Sequence, residues 1–112
     1  MTTAVMVLSP QDSLRFALEQ LLSSQGFLVC PGVSRLSAFR HALNACATSP
    51  NVILLDYWLG FAETSAFIQQ LKRQGVTVIL MATKFLGQTL AAQEGIALLE
   101  KPFTRQDLLK VI

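Results

Sequence analysis

The sequence is sparing with charge: Asp, Glu, Lys and Arg make up 14% of its 112 residues, and nine basic residues face seven acidic ones. So small an excess, with Lys72-Arg73 as the one adjacent basic pair, excludes a nucleic-acid footprint in this domain. That pair reads instead as a helix C-terminus complementing its dipole. Histidine is nearly missing (His41 alone), and the two cysteines, Cys30 and Cys46, form no C-x-x-C pair. Metal-ligand spacing is therefore absent, and both thiols are expected to be reduced and buried or nearly so. No apolar run approaches the ~20 residues of a membrane span. The Met-Thr-Thr start lacks the basic-then-apolar pattern of a secretory signal. A cytoplasmic location away from membranes is the expectation. A Gly-rich phosphate loop, a Ser-His-Asp set and spaced histidines are all lacking, so nothing here supports an independent enzyme.

What remains is apolar. Hydrophobic residues make up 52% of the chain and the mean hydropathy is +0.47, which excludes a solvated disordered segment. A chain of 112 residues encloses one core, so 1–112 reads as a single domain. Short apolar runs alternate with amphipathic segments along it. Ala4–Leu8, Phe27–Cys30, Val52–Leu55, Thr77–Met81 and Ile96–Leu99 read as strands. Between them, Leu14, Ala17, Leu18, Leu21 and Leu22 recur at helical spacing up to Gly26. Leu36, Phe39, Leu43 and Cys46 mark a second helix, and Phe67, Ile68 and Leu71 a third that ends at Gly75. Leu86–Glu94 makes a short fourth helix, and Thr104-Arg105-Gln106-Asp107 opens a fifth with a capping motif. Five strands alternating with helices predict a parallel sheet covered on both faces, (βα)5, doubly wound. In such sheets chemistry gathers where strands end. The residues to inspect are Ser9, Pro10 and Asp12 after the first strand, Asp56 after the third, Thr83 after the fourth and Lys101-Pro102 after the fifth.

An aspartate, a threonine and a Lys-Pro at those successive strand ends resemble the receiver domain of bacterial two-component response regulators, over the whole chain from Val5. The resemblance implies a flavodoxin-like five-stranded sheet in the order 2-1-3-4-5. It implies Asp56 as phosphoacceptor, with Thr83 and Lys101 contacting phosphoryl oxygens. Pro102 would be a structural cis-proline. The departures matter as much. Where the family carries paired acidic residues that hold Mg²⁺, this chain has Ser9 and Pro10. Asp12 lies close by, but Ser-Pro-Gln-Asp reads as a helix start, with the proline in its first turn and Asp12 as a cap or first-turn charge. The loop after Asp56 is reshaped by Leu59-Gly60 and Thr64, and the family's aromatic switch position aligns with Leu98. One carboxylate and one lysine make a pocket that is neutral without a cation, so no Mg²⁺ and no other cofactor or metal is expected.

Two functions follow. One is a pseudo-receiver, weakly phosphorylated or not at all, acting as a regulatory protein-interaction module. The alternative is a fully active phospho-accepting receiver that controls an attached DNA-binding output domain, with transcriptional control implied by resemblance only. An aspartyl-phosphate hydrolase of the haloacid type needs a second aspartate at the position of Trp58. The partners implied are a sensor histidine kinase or other regulatory protein, and a second copy of the chain. The aromatic and apolar residues Tyr57, Trp58, Phe61, Phe85, Leu86 and Leu98 are the interface candidates. The segment after Thr104 runs only a turn or two, so a truncated last helix without the output domain is the expectation.

Overall fold

Five runs of strand-forming residues become the five strands. A computed structural model describes residues 3–57 and 61–112 (backbone only for 61–63). The strands are β1 (Ala4–Leu8), β2 (Leu28–Val29), β3 (Val52–Asp56), β4 (Thr77–Ala82) and β5 (Ala97–Glu100). The helices are α1 (Asp12–Ser24), α2 (Phe39–Asn44), α3 (Phe61–Arg73), α4 (Lys84–Glu94) and α5 (Arg105–Val111). All pairings are parallel and the order is β2-β1-β3-β4-β5, the doubly wound, flavodoxin-like arrangement expected.

Alternation along the strands divides the core in two. Val5 and Val7 of β1, Val52 and Leu54 of β3, and Ile79 and Met81 of β4 pack with Leu18, Leu22 and Leu108 of α1 and α5. Met6 and Leu8, with Ile53 and Leu55, face Ala42, Ile68 and Leu71 of α2 and α3. Leu80 and Ala82 meet Leu90 and Ala91 of α4. All of β1 and β3 is buried, which is why these strands read as unbroken apolar runs rather than alternating ones. Each fully buried Leu, Ile or Met side chain contributes about 1.5–3 kcal/mol of burial free energy.

Four sequence expectations are corrected. The second strand is two residues long because its partner register ends at Val5↔Val29. The second helix is broken into a 3-10 turn, Leu36–Ala38, followed by α2, so Cys46 lies beyond the helix rather than on its face. Helix α4 starts two residues earlier than its apolar pattern suggested, at Lys84. Pro10 is not in the first turn of α1; it precedes the N-cap, Gln11. The fifth helix follows its sequence signature closely. Thr104 Oγ1 accepts from the Asp107 N–H at 3.1 Å, and Asp107 Oδ2 accepts from the Thr104 N–H at 2.9 Å.

Candidate functional site

Parallel strands bring their carboxyl ends to one edge of the sheet. Ser9 follows β1, Asp56 closes β3, Thr83 follows β4 and Lys101 follows β5. Asp56 is fully buried, and both of its oxygens are engaged. Lys101 Nζ donates to Oδ1 at 3.1 Å, and Ser9 Oγ donates to Oδ2 at 2.7 Å. The Lys101 side chain is 20% exposed, so the ion pair is closed from the inside and open at the lysine. The Lys101-Pro102 peptide is cis, and Lys101 N–H donates to the Ala82 carbonyl at 2.8 Å, which ties the loop after β5 to the end of β4.

Ser9 is itself held from two sides. The Gln11 N–H donates to its hydroxyl at 3.1 Å, and Arg15 Nη1 donates to its carbonyl at 2.7 Å. The other arm of Arg15 pairs with Asp12 at 2.7 Å, and the Asp12 side chain is 85% exposed. Asp12 is thus a first-turn charge of α1, directed at Arg15 rather than at Asp56. The stem of Arg15 runs against Gly32. A Cβ there would lie 2.8 Å from Arg15 Cδ and 2.6 Å from the Val7 carbonyl, so only glycine fits without a shift. Gly32 N–H donates to Glu19 Oε2 at 2.9 Å, which anchors the loop after β2 to α1.

Thr83 is exposed, at the N-cap of α4, and its side chain makes no capping bond. With Gln11, Leu14, Lys101, Pro102 and Phe103 it lines an open concavity of about 410 Å³. Of the interface candidates, Phe85 (96% exposed) and Leu86 (41%) stand out on the surface at the start of α4. Tyr57 and Leu98 instead pack partly into the cluster of Leu80, Leu90 and Ala91, and Leu98 fills the space beside Gly87. Trp58, Leu59 and Gly60 lie outside the described residues, as does the Phe61 side chain. Thr64 is fully buried.

Sequence reasoning found Asp56 and Lys101 but took Ser9 only for a missing carboxylate. Its hydroxyl reaches Asp56 across 47 positions of chain, through the β1–β3 pairing Leu8↔Leu55. A small hydroxyl residue directly after a buried strand was the available signal. Arg15 was missed, and so was a second polar centre. Glu94, at the end of α4, is nearly buried and accepts from Ser65 Oγ at 2.8 Å and Gln69 Nε2 at 3.1 Å. Lys72 Nζ donates to the Glu94 carbonyl at 2.6 Å, so this residue of the Lys72-Arg73 pair serves the end of a neighbouring helix rather than its own.

No protein-family model matches the chain, and neither does any curated protein sequence. Solved structures do. A response regulator receiver protein from Burkholderia phymatum superposes with TM-score 0.77 at 25% identity, over 97% of this chain and 89% of that one. The chemotaxis response regulator CheY4 of Vibrio cholerae gives 0.74 at 20%, over 98% and 95%. The fold is the receiver-domain fold. NtrX from Brucella abortus gives 0.79 at 21% over 99% of this chain, which spans 26% of that longer protein's length.

Proposed function

We propose that the chain is the receiver module of a two-component response regulator, in which Asp56 keeps the phosphoacceptor position but stands in a permanent ion pair. It acts as a regulatory protein-interaction module in the cytoplasm rather than as an enzyme. One observation carries this reading: the buried Asp56 carboxylate already has Lys101 on one oxygen and the Ser9 hydroxyl on the other. The donor set does not suit Mg²⁺, which demands about six well-placed oxygens. Pro10 has no side-chain donor, Asp12 is turned out to Arg15, and the described residues hold no cluster of three metal-ligating side chains. Each Asp56 oxygen that attacks a phosphoryl group would do so while hydrogen-bonded to Lys101 or Ser9, which draws on its electron density and weakens it as a nucleophile. Without a divalent cation, Lys101 alone would face the incoming charge. Every ~1.4 kcal/mol lost there slows transfer tenfold.

Signalling then runs through surfaces. The exposed Phe85 and Leu86 supply the contact with a second copy of the chain, and a sensor kinase or other regulatory protein is the upstream partner. Incubation with acetyl phosphate and Mg²⁺, followed by intact-mass measurement, tests the reading. Absent or slow labelling is expected. Rapid, stoichiometric, Mg²⁺-dependent modification at Asp56 would restore an ordinary phospho-accepting receiver. A parallel Mg²⁺ titration follows the fluorescence of Trp58, two residues beyond Asp56 in the chain. A saturable millimolar response that Asp56→Asn abolishes would overturn the metal-free site.

A further inference from the structure

Cys30 and Cys46 are separated in the sequence and by secondary structure, yet the fold brings them together. Cys30 follows the edge strand β2, and Cys46 lies in the segment between α2 and β3. Both line one cavity of about 240 Å³, walled by Leu28, Val29, Pro31 and Thr48. Cys30 Sγ donates to the Thr48 carbonyl at 3.5 Å and Cys46 Sγ to the Ala42 carbonyl at 3.4 Å. These are weak bonds that direct each sulfur without locking it. Cys46 is half-buried and Cys30 nearly buried, and both are free thiols. The two also feel each other directly. Burial first, then a hydrogen bond to Cys46 and its charge, push the Cys30 thiol up to about 12.

We propose that Cys30 and Cys46 are a modification site, which a hydroperoxide converts into one internal disulfide fastening the end of β2 to the segment that leaves α2. The more accessible Cys46 reacts first. Its thiol gives a proton to solvent, and the thiolate attacks the outer peroxide oxygen. The O–O bond breaks, an S–O bond forms, and hydroxide leaves to become water. Cys30 then attacks the Cys46 sulfur, giving up its proton as the S–S bond forms. The S–O bond breaks, and the departing hydroxide takes the Cys30 proton as a second water. Two thiols lose two electrons in all, and one hydrogen peroxide becomes two waters. The neighbouring thiol makes the disulfide, rather than a higher oxide of Cys46, the end product.

The consequence follows from the placement. Strand β2 is the shortest strand and lies at the sheet edge, held by the Ala4↔Leu28 and Val5↔Val29 pairs. A bond across this cavity would restrain both the edge strand and the α2–β3 segment.

The test treats the folded protein with a few equivalents of hydrogen peroxide, then quenches, denatures without reductant and alkylates. Expected is a monomer lighter by two hydrogens, inert to alkylation, whose digest yields one peptide joining Cys30 to Cys46. Its Tm should rise by about 10 °C over the reduced protein. Cys46→Ser should give neither the mass loss nor the rise. Oxygen adducts with the second thiol still open to alkylation would overturn the proposal, as would disulfide-linked dimers. A cross-linked monomer with an unchanged Tm would overturn the fastening of the edge.

Discussion

Among the described residues two carboxylates are withdrawn from water, and they are held in opposite ways. Asp56 sits at a strand end with a cation on one oxygen and a hydroxyl on the other. Glu94 sits at a helix end, and its Oε1 is met by neutral donors from α3, the Ser65 hydroxyl and the Gln69 amide. A lysine is close in both places, but Lys72 passes to the backbone carbonyl at the end of α4, where the helix dipole is negative. Charge therefore answers charge at Asp56. At Glu94 the cation answers the dipole, and hydrogen bonds answer the carboxylate. The first arrangement makes stability depend on both partners keeping their charge; the second does not.

The most damaging change on this account is Lys101→Met. It leaves a fully buried carboxylate with Ser9 alone, and a loss of about 3 kcal/mol is expected, at the low end for a broken buried pair because the lysine is partly exposed. Asp56→Asn should cost less, about 1–2 kcal/mol, since the freed lysine can turn toward water. The double mutant should cost about 2 kcal/mol less than the sum of the singles. Denaturant melts of the three variants measure the coupling. A stabilised Asp56→Asn protein with no coupling to Lys101 would mean that the pocket carries surplus negative charge, and the contrast with Glu94 would collapse.

Next in size is Ser9→Ala, which removes a hydrogen bond to a buried charged oxygen and should cost about 1.5–2 kcal/mol. Were Ser9 only a vacant metal position, the same change would be nearly neutral. Glu94→Gln is the matching test at the other centre. An amide carbonyl can still accept from Ser65 and Gln69, so a loss below about 1 kcal/mol is expected. A loss as large as that of Lys101→Met would show that Glu94 too depends on its charge.

The contrast also separates what could be read in the sequence from what could not. Each residue of the Asp56 pocket stands at or within two residues of the end of a short apolar run, so a linear reading of strand ends collects Ser9, Asp56, Thr83 and Lys101. The same reading yields a parallel sheet, because every run is followed by a helical pattern. Who touches whom at the strand ends is another matter. That depends on register, and the registers of β1 on β3 and β4 on β5 leave no local trace. Thr83 shows the limit: it stands at the right strand end, yet it is exposed at the concavity beside Lys101. The Glu94 centre was illegible for a plainer reason. Ser65, Gln69 and Lys72 are ordinary polar residues of α3, and only the packing of α3 on α4 makes them a set. The break between the 3-10 turn and α2 was equally hidden, since Leu36, Phe39 and Leu43 keep helical spacing across it.

The smallest expected effect belongs to a third carboxylate, Asp107, which isolates the role of burial. Like Asp56 it is fixed by the fold itself: its Oδ2 accepts from the Thr104 N–H, and its own backbone N–H donates to the Thr104 hydroxyl. Unlike Asp56 it is exposed to water. The Thr104 backbone bond, followed by the Thr104 side chain, holds its carboxyl below the usual carboxylate range, against a small opposing effect of desolvation. The folded pKa thus lies below the unfolded one. The contribution to stability is complete above the unfolded value of ~4 and disappears as pH falls through the folded value. An NMR titration of the Asp107 carboxyl should show a depressed midpoint that moves up only in part in Thr104→Ala, because the alanine keeps the backbone N–H and loses the hydroxyl. The shift should also shrink at high salt where it comes from Lys110, and not where it comes from Thr104. An ordinary midpoint in the unaltered protein would mean that the Thr104 N–H, a short hydrogen bond in water, does not hold this carboxylate's charge. The binding of Asp56 would then rest on its lysine and its burial alone.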